Sequence, residues 1–310
     1  MKYLKPVNTE LEVSNLIMGC MRITGLSEKE LNIFVNTALE QGINYYDHAD
    51  IYGGGECESH FAKSVQMNST LREKMIIQSK CGIVKGGDFD YYDFSKEHIL
   101  KSVDGILKRL QIEYLDVLLL HRPDTLMEPS EIACALQTLF NQGKVRYFGV
   151  SNFNPMQFEM VKKAVTFPLV FNQLQLSIAH TPMIDTGLTV NMHTNQSVNY
   201  EGSILEYCRL NDITIQAWSP FQQGFFGGPF LGDNEHYAKL NTVIDKIAKK
   251  YNVTNTAVAV GWITLHPANI QVVLGTTNVN RLKDACKGSE LPLTKEEWYS
   301  IYVAAGNIIP

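Results

Sequence analysis

Long apolar runs, surplus positive charge, paired cysteines and a glycine-rich nucleotide fingerprint are all missing from this 310-residue chain, and each absence removes a class of function. Nowhere do enough apolar residues follow one another to cross a bilayer, and the opening MKYLKPVNTELEVSN carries lysines without the apolar run of a signal peptide. A cytoplasmic protein with no membrane association is therefore expected. Lys and Arg number 27 against 32 Asp and Glu, a net charge of -5, which leaves no basic patch for nucleic acid. Cys20, Cys57, Cys81, Cys134, Cys208 and Cys286 are scattered without paired spacing, so neither a disulfide framework nor a zinc site is indicated. His48, His60 and His121 likewise lack the histidine and carboxylate spacing of metal ligands. No G-x-G-x-x-G follows the first strand, and the three glycines at 53–55 lack that spacing, so a dinucleotide would need another cradle.

What is present is a regular alternation. At 45% hydrophobic and 19% charged the composition is that of an ordinary globular protein. Residues 16–21 (LIMGCM), 43–47, 75–80 (MIIQSK), 114–120 (YLDVLLL), 145–150 (VRYFGV), 169–174, 213–218 (ITIQAW) and 272–275 read as short buried strands. Helical patterns separate them. Ser27 with Glu30 forms a capping box before the first, Ser95 caps another, and Pro129 and Asn154-Pro155 open two more. Helices are also expected over 56–66, 204–210 and 278–287, and the patterns over 235–251 and 254–265 include one insertion. A last helix starts at a second capping box, Thr294 with Glu297. Residues 2–14 suit a hairpin, and 177–202 is a polar, aperiodic stretch expected to be a functional loop. Without a linker or short repeat, this pattern predicts one domain over residues 1–310, a closed parallel (β/α)8 TIM barrel with an N-terminal hairpin and extra helices.

In such a barrel, catalytic side chains collect at the carboxyl ends of the strands. Asp47 ends the second strand in NYYDHADIYGGG, Tyr52 follows five residues on, Lys80 ends the third strand and His121 follows the fourth. A free phenol is a weak acid at neutral pH, with a pKa of ~10, and a cation beside it favours the phenolate. Lys80 can supply that charge, Asp47 can hold Lys80, and His121 can hold the reacting oxygen from the other side. The four suit protonation of a developing alkoxide. His48 and Asp50 read as solvated turn residues, and Met21, Tyr91, Tyr92, Phe94 and Phe225 are candidate substrate-pocket residues.

These residues, with the segments IIQSKCG, LLLHRPD, GKVRYFGVSNF, FNQLQLS, AWSP and GTTNVNRLKDA, make the chain resemble the aldo-keto reductase superfamily over nearly its whole length. HADIYGG, SKCGI, HRPDTLM and LTKEEWYSIYVAAG most resemble bacterial oxidoreductases that are known by class and not by substrate. The resemblance implies NADP(H)-dependent reduction of a small aldehyde or ketone, with Tyr52 as general acid, Lys80 and Asp47 tuning it, and His121 orienting the carbonyl. It also implies that Ser151, Asn152 and Gln173 hold the nicotinamide carboxamide and that Trp218 stacks on the ring. Ser219, Pro220, Phe221, Gln222 and Gly224 match the pyrophosphate clasp, and Gly275, Thr276, Thr277, Asn278 and Arg281 match the adenosine 2'-phosphate site. Backbone amides at a helix start, with an arginine nearby, suit a phosphate dianion.

One position departs from the pattern: Gly275 stands where many relatives place a lysine, so Arg281 carries the preference for NADPH over NADH alone. Two other readings use the same residues, a cofactor-binding regulatory or sensor protein on this barrel, and a lyase in which Lys80 forms a Schiff base. A monomer or weak homo-oligomer is expected.

Overall fold

The structure is a computed structural model and describes residues 1–224 and 227–310. Eight parallel strands close into a barrel: β1 (Leu16–Gly19), β2 (Tyr45–Asp47), β3 (Ile76–Cys81), β4 (Leu115–Leu120), β5 (Val145–Ser151), β6 (Leu169–Gln175), β7 (Thr214–Trp218) and β8 (Gln271–Leu274). Sequential strands are neighbours, and β8 pairs with β1 to shut the ring. Parallel strands covered on both faces are mainly apolar, which is why they appear in the sequence as runs without alternation.

Two cores result from the period of two along each strand. Ile17, Tyr45, Val117, Leu119, Phe171 and Val273 point into the barrel, whereas Leu16, Met18, Tyr46, Leu118 and Leu120 face the surrounding helices. The N-terminal hairpin, Tyr3–Leu4 against Val13–Ser14, adds Leu4 and Val13 to the interior cluster and closes the N-terminal end. Crowding inside decides one residue type: a Cβ on Gly149 would stand 2.6 Å from the Phe171 carbonyl oxygen and 2.8 Å from Leu119.

The helices begin where the caps indicate. Ser27 and Glu30 satisfy each other's backbone amides at helix Glu28–Glu40, as do Thr294 and Glu297 at Lys295–Ala304. That last helix docks by stacking Trp298 on Trp262, rings 4.7 Å apart, with each indole donating to the other's carbonyl. Three short elements lie where no periodicity pointed: helix Ser69–Arg72, the hairpin Ile83–Val84 with Tyr91–Tyr92, and helix Pro182–Leu188 inside the 177–202 segment. Elements of two to seven residues are too brief to impose a period.

Candidate active site

Period two also builds the mouth. Tyr45 and Asp47 of β2, Gln78 and Lys80 of β3, and Val117 and Leu119 leading to His121 after β4 are each two residues apart, so each set shares the inner face. Tyr52 arrives differently. A short 3-10 turn, Tyr52–Gly55, turns the chain into helix Glu56–Val65 through Gly53 and Gly54 at φ +58° and +65°, values costly for residues with a Cβ.

These four residues meet around one ammonium. Lys80 Nζ lies 2.7 Å from the Asp47 carboxylate and donates to the His48 carbonyl at 2.9 Å and to the Tyr52 phenol oxygen at 3.0 Å. All three of its protons are used, and the side chain is fully buried. Burial alone would make Lys80 a weaker base, but Asp47 and Tyr52 outweigh it and hold the ammonium above its ordinary range.

Tyr52 corrects an expectation. Lys80 does pull the phenol down, but burial pushes it up more strongly and Asp47 adds to that push, so the net shift is upward. The phenol is therefore protonated at neutral pH. The Tyr52 and His121 rings stand edge to face, 6.0 Å apart at 80°. Burial, then Lys80, Arg122 and Lys85, holds His121 well below the ordinary histidine range, so it is neutral. Its Nδ1 is buried with no hydrogen bond among the described residues.

His48 is not a solvated turn residue, and Asp50 is half-buried in its turn. Both His48 nitrogens are buried without partners among the described residues, the ring packs edge-on to Phe61 at 4.7 Å, and burial with Lys80 lowers its pKa to about 3. Asp50 is pushed up to about 7 by burial and by neighbouring Glu58. The pair Asp50 and Glu58 lies behind the mouth, where Glu58 accepts from Ser79 and Arg109, each at 2.7 Å.

The far side of the mouth gathers the residues expected at the nicotinamide. Ser151 donates to the Gln173 carbonyl at 3.0 Å and accepts from Asn152 at 2.8 Å, and the Trp218 indole donates to Asn152 Oδ1 at 3.0 Å. Beyond β7, Gln222 N closes a turn on the Ser219 carbonyl at 3.1 Å and Ser177 binds the Gln222 carbonyl at 2.6 Å. Pro220 is buried, Phe221 half-buried, and Gly224 takes φ +128°.

After β8, Gly275 and Arg281 are exposed, with Thr276 and Thr277 half-buried. Here the geometry narrows an expectation. Asn278 caps its own helix, Val279–Lys287, accepting from the amides of Asn280 at 2.9 Å and Arg281 at 3.0 Å, and its own amide donates to Thr276. Two of the helix-start amides expected to meet a phosphate are thus already satisfied.

Of the pocket candidates, Phe94 belongs to the core, where it lies against Gly82 and Phe153. Met21, Tyr91 and Tyr92 are exposed, and Phe225 lies outside the described residues. The 177–202 segment borders a cavity of about 510 Å³ through His180, Met183 and Glu201, beside Asn152 and Trp218. Sequence reasoning missed Gln78, Gln216 and Gln271, which are fully buried inside the barrel and hydrogen-bonded in series beneath Asp47. A signal was available: a glutamine inside the apolar strands MIIQSK, ITIQAW and IQVVLG has to be paired.

A closed barrel with an acid, a lysine, a phenol and a neutral imidazole at one mouth is an arrangement for moving a proton to or from a carbonyl oxygen. The Aldo/keto reductase family matches residues 15–304, and the chain belongs to that family. It is 32% identical over 301 residues to the oxidoreductase YdhF of Escherichia coli, covering 95% of this chain and 94% of that protein. It is 31% identical over 309 residues to a 6-dehydroglucose reductase of Agrobacterium fabrum, covering 96% of each. Among solved structures, the glycerol dehydrogenase AKR11B4 of Gluconobacter oxydans matches in fold with a TM-score of 0.78 at 22% identity, over 97% of this chain and 94% of that one. Among the described residues, no helix is long and apolar enough to cross a membrane.

Proposed function

We propose that this protein reduces an aldehyde or ketone to an alcohol, drawing hydride from NADPH in preference to NADH, with Tyr52 as the proton donor. One observation carries the reading: a half-buried, protonated phenol accepts a hydrogen bond from a fully satisfied ammonium 3.0 Å away, opposite a neutral imidazole. The residues beyond it suit the cofactor. Gln173 keeps an amide oxygen without a hydrogen bond among the described residues, and Arg281 is exposed with no ion pair among them. Ser151, Asn152 and Gln173 would hold the carboxamide and Trp218 the ring face. Residues 219–224 would clasp the pyrophosphate, and Gly275, Thr276, Thr277, Asn278 and Arg281 would meet the adenosine phosphate. When bound, the nicotinamide supplies hydride to the carbonyl carbon.

The chain's own residues then handle the oxygen. His121 Nε2 and the Tyr52 hydroxyl bond the carbonyl oxygen, and as negative charge develops there Tyr52 transfers its proton. Lys80, already donating to the phenol oxygen, stabilises the phenolate left behind, and Asp47 keeps Lys80 in place. The same geometry speaks against Lys80 as a Schiff-base nucleophile, because an ammonium held protonated by Asp47 has no lone pair to attack with.

Loss of NADPH absorbance with a carbonyl panel tests the reading. The first arm is a sugar-derived aldehyde, because the Agrobacterium relative is a 6-dehydroglucose reductase. Tyr52→Phe is expected to cut turnover by about 10²- to 10⁴-fold while NADPH affinity stays. Parent-level turnover in that variant would remove Tyr52 as the acid.

A further inference from the structure

Beneath the ammonium lies a second polar assembly, whose Gln78, Gln216, Tyr45 and Gln271 the proposed chemistry does not use. The Gln78 amide donates one N–H to Asp47 Oδ1 at 2.6 Å and the other to Gln216 Oε1 at 2.9 Å. The Gln173 amide donates to the same two oxygens, at 3.1 and 3.0 Å. Gln216 in turn donates to the Tyr45 phenol at 3.2 Å, and Tyr45 donates to Gln78 Oε1 at 2.8 Å, which closes a ring of three side chains. Gln216 also reaches Gln271 at 3.1 Å, and Gln271 ends the chain on the Ser14 carbonyl at 2.8 Å. Gln78, Tyr45, Gln216 and Gln271 have no solvent exposure.

This ring fixes which way the Gln78 amide points. Were it flipped, its oxygen would face the Asp47 carboxylate and the Gln216 oxygen, both acceptors, and its nitrogen would face a phenol already supplied with a donor by Gln216. Satisfaction of buried groups therefore leaves one orientation, N–H toward Asp47. A carboxylate held by two amides and an ammonium can neither rotate nor approach Lys80 more closely.

We propose that Gln78, oriented by Gln216 and Tyr45, is a positioning residue that holds the Asp47 carboxylate and takes up part of its negative charge, so that Lys80 directs its charge to the Tyr52 phenol. The proposal rests on the reading of Tyr52 as the acid. The groups that bear on Asp47 and Tyr52 are Lys80 from β3, Cys20 after β1, His48 on the β2 loop and His121 after β4, and the two histidines are neutral. Removing the Gln78 donor strengthens Asp47's hold on Lys80 and its repulsion of a phenolate, so Tyr52 becomes a weaker acid. Two consequences follow for the reduction: kcat falls, and the alkaline limb, where the phenol is lost, moves to higher pH.

The test uses the whole 310-residue chain and compares the parent with Gln78→Met and Gln78→Glu. Gln78→Met keeps the length and removes the donor, and is expected to lower kcat about tenfold and raise the alkaline limb by about half a unit to one unit, with KM for NADPH unchanged. Gln78→Glu places a carboxyl beside a carboxylate, which favours its protonated form, and that proton can be donated to Asp47. Near-parent kcat at low pH, with a new falling limb as that proton is lost, is expected for Gln78→Glu alone. A third readout needs no turnover: the ¹⁵N resonance of the Lys80 ammonium, assigned through Lys80→Met, should shift or broaden in Gln78→Met. An unmoved limb and an unmoved resonance in Gln78→Met would overturn the proposal. If Gln78→Met does not fold, Gln78→Glu decides alone, and a pH profile parallel to the parent's rejects it. A parent alkaline limb that survives Tyr52→Phe would instead sink the assignment of Tyr52, leaving the resonance to judge Gln78.

Discussion

Lys80 and Arg281 are both cations near the carboxyl ends of barrel strands, and the protein treats them in opposite ways. Lys80 is fully buried, spends all three protons on Asp47, the His48 carbonyl and Tyr52, and is held charged by those neighbours. Arg281 is exposed, and among the described residues it forms no ion pair. Around Lys80 every group is placed before any ligand arrives. Beside Arg281 the helix-start amides are capped by Asn278, and elsewhere at the mouth the loop 219–224 is held by a few backbone bonds and the Ser177 hydroxyl. Rigid placement suits a step whose rate depends on orientation, and an open cation suits an anion that must come and go. On this view, damage on the first side lowers turnover with binding intact, and changes on the second side alter binding with turnover intact.

The largest break in that comparison is expected at Lys80. Lys80→Met leaves the Asp47 carboxylate buried without its cation, which costs about 3–5 kcal/mol of stability, and removes the charge that stabilises the phenolate. Turnover should fall about 10²-fold or more. The two losses separate in the double variant: adding Asp47→Asn should restore most of the melting temperature and none of the turnover. Recovery of both together would mean that Lys80 acts only as a structural counter-ion.

The buried side holds one group at odds with its own order, and it gives the next effect. Asp50 titrates at about 7 in the folded protein, above the ordinary carboxyl value, because of burial and Glu58. An acid whose folded pKa is raised binds more protons folded than unfolded, so its contribution to stability falls as pH rises from about 4 toward 7. Asp50→Asn removes that loss. Its melting temperature should exceed the parent's by more at pH 8 than at pH 5, with roughly 2–4 °C for each kcal/mol recovered in a chain this long. An equal difference at the two pH values would show that Asp50 does not titrate in that window.

The same contrast explains what could be read without a structure. The strands were legible because burial on both faces leaves uninterrupted apolar runs, and the helices because Ser27, Ser95, Asn154 and Thr294 announce their starts. Asp47, Lys80 and His121 were legible because period two and the strand ends bring them together without knowledge of any long-range contact, and Tyr52 because it follows Asp47 through a glycine turn. What escaped depends on packing. The upward shift of Tyr52 is set by how completely the mouth is sealed, and sealing comes from elements far apart in sequence. Gln78, Gln216 and Gln271 come from three strands, and only closure of the barrel makes them neighbours. At Asn278 the part not read is that its side chain caps the very amides it precedes.

The smallest expected effect lies on the open side, at the position where the family pattern is broken. A Cβ on Gly275 meets no atom within 4 Å, and its φ is not in the left-handed region, so a side chain fits there without moving the backbone. Gly275→Lys would add a second exposed cation near Arg281. Exposed pairs are screened by water and salt and contribute little, so NADPH affinity should rise only about threefold, and less at high ionic strength. NADH, which lacks the 2'-phosphate, should bind as before, and kcat should not change. Titrating both cofactors into parent and variant at two salt concentrations measures each part. Were NADH to gain as much as NADPH, the added charge would be acting on the pyrophosphate, and the exposed side would not discriminate between the two cofactors through the 2'-phosphate.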